Sequence, residues 1–454
     1  MLPAQPKNNQ PNLFYNTLRD MLDSNDSLIA LADTIEWQVF EESLSSFYSE
    51  EGRPAKSIRL MVGLLLLKQL ENLSDENVVL QFKRNPYYQY FCGYHEYAPA
   101  LPCDATDLVY FRKRIGKKGV EQIFKMSVEL HGNASEEKQV IIDTTVQDKN
   151  ITYPTDGKLA IKMIHHLHKI AKNEGIQLRR TYVREIKEHR ISLRFFKHPR
   201  KVKKARVAIK RLRTIVGILI RDISRNLSLE QLFKYQKQFE MFEKVRNQKI
   251  KDTNKILSLH ESHIYAITKG KDHKKYEYGT KASIVTTKDS GVIVGVAAHE
   301  KNEHDSKTLE AALTSAKANR TKAIEEAICD RGYRGTKEVL GTKICVPDKA
   351  LKRDTKYQRE QKRKKFRRRA AVEPIIGHLK SDYRLSRNYL KGFIGDEINL
   401  LMAASAWNLK KWMNNFIQLL FVLKIAMLIN AFMQLKPKER EKYPNLVLLI
   451  WRLY

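Results

Sequence analysis

The chain has 454 residues and carries 83 Lys and Arg against 51 Asp and Glu, a net charge of +32. With 42% hydrophobic and 30% charged residues it has the composition of a folded, soluble protein long enough for two or three domains. Such a field favours a polyanionic partner, nucleic acid first, with an anionic membrane surface or ribosomal RNA as the alternative. Cys92, Cys103, Cys329 and Cys345 form no CxxC pair, so neither a disulfide scaffold nor a zinc finger is suggested, and a reducing cytoplasm fits best. The N-terminal "MLPAQPKNNQPNLFY" has no basic-then-apolar signal pattern.

The first part, residues 1–135, reads as helical. "SIRLMVGLLLLKQLENLSDENVVLQF" places apolar residues at helical spacing, with "LSDENV" as a cap between two helices. Farther on, Asp104 is an N-cap candidate for a helix expected to expose Arg112, Lys113 and Arg114. Short helices with basic edges suit a small DNA-binding domain, although a helical bundle with a solvated basic face gives the same pattern.

The pattern changes after Lys138. "QVIIDTTVQ" is a β-branched run around Asp143, and "NITYPTD" reads as a hairpin return. A charged helical section follows, about residues 157–260. It includes "RKVKKARVAIKRLR", with eight basic residues and no acid. "KASIVTTKDSGVIVGVAAH" then reads as two strands turning at Lys288–Gly291. A helix at about Ser306–Ala318, a strand "AIEEAICD" ending at Asp330, and a short strand "KICVP" come next. The implied architecture is an α/β core with a helical insertion, preceded by an all-α domain. Near the C-terminus "FIQLLFVLKIAMLINAFMQL" approaches membrane-span length. Lys424 and Asn430 interrupt it, so a buried helix or an oligomer contact is expected instead.

Two carboxylates, Asp143 and Asp330, sit where apolar strands meet polar sequence, and a third, Glu373, lies in "RRRAAVEPIIGHLKSDYRL". Taken singly, an Asp at a strand end caps a turn as readily as it binds metal, and a Glu on a basic helix makes a surface ion pair of little energetic value. Together, hard carboxylate oxygens from two strands and a helix suit a pair of Mg²⁺ ions that drive in-line phosphoryl displacement. The run Leu351–Arg369 holds eleven Lys or Arg against two acids and leads directly into Glu373, as phosphate neutralisation requires. Other clusters carry less. His165, His166 and His168 scatter around a helix, and His260 and His263 have no third ligand. His304 and Asp305 are the better candidate: Asp305 would open a helix as its N-cap, and the pair is a candidate for supporting the metal-binding carboxylates. No Gly-x-x-x-x-Gly-Lys motif is present, so nucleotide hydrolysis is not expected.

In order, "GRPAKSIRLMVGLLLLKQLENLSDENVVLQF", "YEYGTKASI", "HDSKTLEAAL", "CDRGYRG", "VEPIIGHLKSDYRL" and "LKGFIGDEINLLMAASAWNLKKW" resemble the DDE transposases of bacterial insertion sequences, those with a Tyr–Arg–Glu–Lys signature. The likeness covers most of the chain. It implies an RNase H-like catalytic core at 136–400, with C-terminal helices at 401–454. Asp143, Asp330 and Glu373 would form a triad holding two Mg²⁺ or Mn²⁺ ions. Arg369 stands four before Glu373 and Lys380 seven after it, while the Tyr position falls on Phe366, which keeps a ring and loses the hydroxyl. Phe366, Arg369, Glu373 and Lys380 project to one side of a helix, unless Pro374 starts or kinks it. Arg369, Lys380 and Phe366, with Arg331 and Arg334 beside Asp330, would then contact DNA. Pairing of the two arginines with Glu325 or Glu326 is the alternative.

The resemblance implies cleavage at terminal inverted repeats and joining of 3′-hydroxyls to target DNA. It further implies a homodimer in the synaptic complex, no membrane, and a cytoplasmic, nucleoid-associated location. An RNase H-like nuclease without transposition, or a silent DNA-binding protein derived from a transposase, is the alternative.

Overall fold

The computed structural model describes residues 17–49, 51, 54–249, 251–268, 276–347 and 353–434. The N-terminal region is α-helical throughout: α1 (Leu18–Met21), α2 (Ser27–Thr34), α3 (Trp37–Ser45), α4 (Ile58–Leu70), α5 (Asp75–Arg84), α6 (Pro86–Phe91) and α7 (Ala105–Glu129). The run "IRLMVGLLLLKQL" is apolar on nearly every side, and α4 is accordingly buried almost all round. Four residues join it to α5, turning through Asn72 in the left-handed region (φ 52°). Ser74 then caps α5 by accepting the Asn77 amide hydrogen. Asp104 caps α7 through a reciprocal box with Asp107.

Arg112 corrects a sequence expectation. It is 6% exposed, and its guanidinium donates at 2.8 and 2.6 Å to both oxygens of Asp75, which also takes Lys68 Nζ at 2.8 Å. A helical pattern alone makes Arg112 look solvated; an interior carboxylate on a neighbouring helix draws it inward. Lys113 and Arg114 are exposed as expected.

Strand β1 (Gln139–Asp148) runs straight past Asp143, and residues 150–155 lead irregularly into a helix without making the expected hairpin return. The inserted helices α8 (Asp156–Asn173), α9 (Val183–Leu193), α10 (Val202–Asn226) and α11 (Leu229–Asn247) build a core of their own from residues such as Leu167, Ile215, Leu219 and Phe242. The chain returns through β2 (Tyr265–Thr268), β3 (Tyr276–Thr287) and β4 (Ile293–His299), then α12 (Leu309–Ala318), β5 (Glu326–Ile328), β6 (Glu338–Val339) and β7 (Thr342–Cys345). Two further basic-to-apolar helices, α13 (Lys356–Arg369) and α14 (Val372–Ser381), precede the long α15 (Gly392–Gln434).

The sheet is mixed, in the order β2-β3-β1-β5-β7-β6, with β4 also paired to β3. β1 is antiparallel to β3, with Asp143 opposite Ile284, and parallel to β5, with Ile141 opposite Ile328. Two glycines permit the packing. A Cβ on Gly279 would stand 1.8 Å from the Gln147 carbonyl oxygen, and one on Gly295 would stand 2.6 Å from the Ala316 nitrogen of α12.

The first half of α15 packs against α7, α4 and β4. Farther along, Ile417, Leu419, Phe421, Val422 and Met427 are 51–68% exposed, which departs from the buried helix of the two sequence expectations and not from the oligomer contact. No helix among the described residues is long and apolar enough to cross a membrane.

Candidate active site

The register of β1 and β5 brings two of the three carboxylates together. Asp143 lies on β1 two residues past the paired Ile141, and Asp330 lies two residues past Ile328, beyond the end of β5, where it opens a 3₁₀ turn and accepts the Gly332 amide hydrogen. Ile141 and Ile328 are covered by Val372 and Ile376 of α14 and by the partly buried ring of Phe366 from α13. Phe366 therefore fills space under the helix pair. Val372 is a fully buried anchor, and Glu373 follows it directly with a 64% exposed side chain.

Pro374 fits without a kink. The break lies at Ala370–Ala371, between α13 and α14, and Pro374 is the third residue of α14, where an amide hydrogen has no intrahelical partner to lose. Both alanines stay near helical angles, so Arg369 still reaches across the break. Its guanidinium lies 3.5 Å from Asp143 Oδ2 and 3.5 Å from Glu373 Oε1, linking the strand carboxylate to the helix carboxylate. Lys380 lies farther along α14 and contacts Glu277 Oε1 at 3.5 Å. Arg331 and Arg334 are exposed. Glu325 instead pairs with Lys138, and Glu326 with Gln139 and Cys345.

Asp305 departs from its expected role as a cap. The α-helix starts later, at Leu309, and His304 accepts the Ser306 amide hydrogen at the preceding 3₁₀ turn. Asp305 Oδ1 instead accepts from Thr144 Oγ1 at 3.1 Å and Lys281 Nζ at 3.0 Å. Its Oδ2 faces Asp330 Oδ1 across Gly332. A Cβ there would meet both oxygens at 3.0 Å. Local cap chemistry could not reveal this, because the partners come from β1 and β3. The negative field of these carboxylates is felt nearby: burial first, then Asp330 and Asp143, push the Cys329 thiol well above its ordinary range. Burial, Cys329 and the three aspartates do the same to the enclosed Tyr333 hydroxyl.

Comparison with known proteins gives the family. Residues 16–114 match the Transposase domain (DUF772), and residues 254–409 match the Transposase DDE domain. A Rhizobium meliloti protein, "Uncharacterized protein ORF8 in nfe locus", is 40% identical over 205 residues, 44% of this chain and 99% of its own length. The chain belongs to the DDE transposases of insertion sequences. No solved structure matches it.

For the transposase, membership implies an RNase H-like core, DNA as partner and a divalent-metal cofactor. The donor set fits such an ion: hard carboxylate oxygens on a strand, in the turn after its neighbour and on a helix, with two of them already converging on one cationic group. Among the described residues no three acidic, His or Cys side chains yet stand close enough to share one ion. The histidine clusters do not supply an alternative. His165 and His166 are exposed on α8, and His263 Nε2 lies 2.9 Å from Asp396 Oδ2 in a buried network with Lys149 and Glu261.

Proposed function

We propose that this transposase cuts its element at the terminal inverted repeats and joins the freed 3′-hydroxyls to target DNA, using Asp143, Asp330 and Glu373 as the metal-binding carboxylates. The observation that carries the reading is the Arg369 guanidinium, 3.5 Å from both Asp143 and Glu373, with Asp330 just past the end of the strand next to β1. Two Mg²⁺ or Mn²⁺ ions, when bound, would supply Lewis acidity for the attacking and leaving oxygens. The chain's own residues do the rest. β1 holds Asp143, the turn that follows β5 holds Asp330, and α14 presents Glu373 from a buried anchor. Arg369 shifts from carboxylates to a scissile phosphate as DNA arrives. Arg331, Arg334 and the exposed cations of α13 neutralise flanking phosphates. The N-terminal helices, residues 1–135, bind the repeats; the catalytic domain spans 136–400. A homodimer pairs the two ends.

The test is cleavage of duplexes carrying the sequences that flank the gene, with Mg²⁺, by wild type, Asp143→Asn, Asp330→Asn and Glu373→Gln. Each variant is expected to lose cleavage while still binding the duplex. Cutting that persists undiminished in all three would sink the mechanism.

A further inference from the structure

The N-terminal region contains a helix whose outer face has no structural task. α4 and α5 are joined by a four-residue turn, the spacing of a helix-turn-helix pair. On α5, Val78, Val79 and Phe82 are buried. At about 100° per residue, Asn77, Leu80, Gln81 and Arg84 project opposite them, within one arc of about 100°. All four are exposed. Among the described residues, the Asn77, Gln81 and Arg84 side chains enter no hydrogen bond or ion pair. Three planar, bidentate-capable groups at i, i+4 and i+7 on a solvated face are unusual for a helix needing only solubility, which Lys and Glu would serve.

The helix is also held firmly. Asp75 at its first position is clamped by Lys68 of α4 and Arg112 of α7, and Lys113 and Arg114 follow Arg112 as exposed cations. The turn before it is tied to the far end of α14. Gln69 Nε2 donates to the Tyr383 carbonyl at 2.6 Å, Asn72 Nδ2 to Ser381 at 3.2 Å, and Arg384 to the Asn72 carbonyl at 3.1 Å. The helix is thus anchored to the segment that ends the catalytic helix.

We propose that α5 is the recognition helix that reads the element's ends in the major groove, Asn77 and Gln81 on adenines, Arg84 on a guanine, and Leu80 against a thymine methyl. Asn and Gln match adenine N6 and N7, and Arg matches guanine O6 and N7, which only the wide major groove of B-form DNA displays to a helix. A-form RNA hides those edges in a deep, narrow groove. The assignment rests on the transposase reading and names where that reading's sequence specificity lies.

The test uses the full chain without divalent metal, and two duplexes: one carrying the terminal sequence that flanks the gene, and a scrambled one of equal composition. Each of Asn77→Ala, Gln81→Ala and Arg84→Ala is expected to weaken end binding about 5- to 150-fold. Alanine is the best helix former, so circular dichroism should match wild type. Arg84→Lys keeps the charge and should lose end affinity while retaining the salt dependence of scrambled-duplex binding. Replacing guanines one at a time with 7-deazaguanine should weaken wild type at one position and leave Arg84→Ala unaffected there. A triple alanine variant that keeps wild-type preference for the end overturns the assignment and leaves the transposase reading standing. Wild type that shows no preference for the end overturns both.

Discussion

Replacing Asp75 with Asn removes the one anion between two interior cations. Burial raises the Asp75 pKa, but the Arg112 hydrogen bonds and the Lys68 and Arg112 charges outweigh it, leaving the carboxyl at about 2 instead of 3.8. At 1.36 kcal/mol per pKa unit, that difference is about 2 kcal/mol of stability. The folded-state value is depressed, so this contribution is complete above pH 3.8 and drains away as pH falls toward 2. Lys68 points the other way: burial and Arg112 hold it down to about 8, against its attraction to Asp75. The Asp75 value is the better guide to the mutation, because one carboxylate serves two cations and its loss strands Arg112, which cannot deprotonate. Breaking a buried pair from one side costs about 3–5 kcal/mol. Urea unfolding at pH 7, followed by circular dichroism, should therefore show Asp75→Asn less stable by about that amount. Adding Lys68→Met and Arg112→Met should recover most of the loss. A single variant within about 1 kcal/mol of wild type, the range of surface pairs, or a loss the methionines leave untouched, would refute the reasoning.

Other consequences are equally direct. Gly332→Ala sets a methyl 3.0 Å from Asp305 Oδ2 and Asp330 Oδ1. It should leave the melting temperature near wild type yet weaken divalent-metal binding about 10- to 100-fold by calorimetric titration. Arg369→Ala removes the cation between Asp143 and Glu373. The cleavage rate should fall about 10- to 100-fold while metal affinity holds, and an unchanged rate would exclude Arg369 from the site. Gly279→Ala drives a carbon into the Gln147 carbonyl of the neighbouring strand. It should cost about 3 kcal/mol or more, read as a fall in melting temperature or loss of folded protein.

Several of these features were legible in the residues themselves. The caps at Ser74 and Asp104 follow from short-range chemistry, and both are present. The long β3 and β4 strands and their turn follow from β-branched runs broken at Lys288–Gly291. Strands β2 and β6 did not show, because two to four residues at a sheet edge carry no periodicity. The partners of Arg112, Asp305 and His263 are not legible in the sequence, for one shared reason. Each of these residues is governed by a partner far away in sequence, and a side chain's local pattern does not record who will meet it in the interior. The apolar run in α15 differs: hydropathy marks a face to be covered without saying by what, and within this chain Phe421 and Met427 stay largely exposed.

The hydrogen-bonded joint between the α4–α5 turn and the end of α14 has a metrical consequence. From Glu373 to Ser381 α14 is about 12 Å of rigid rod, at 1.5 Å per residue. Its far end is pinned to Asn72, three residues before Asp75 opens α5. On the proposed reading, a duplex gripped by α5 is offered to Glu373 at a distance the protein sets. The joint behaves as a ruler. Base changes within an element's end should weaken the grip in proportion, whereas adding or deleting a single pair between the gripped bases and the cut should rotate the scissile phosphate out of reach altogether.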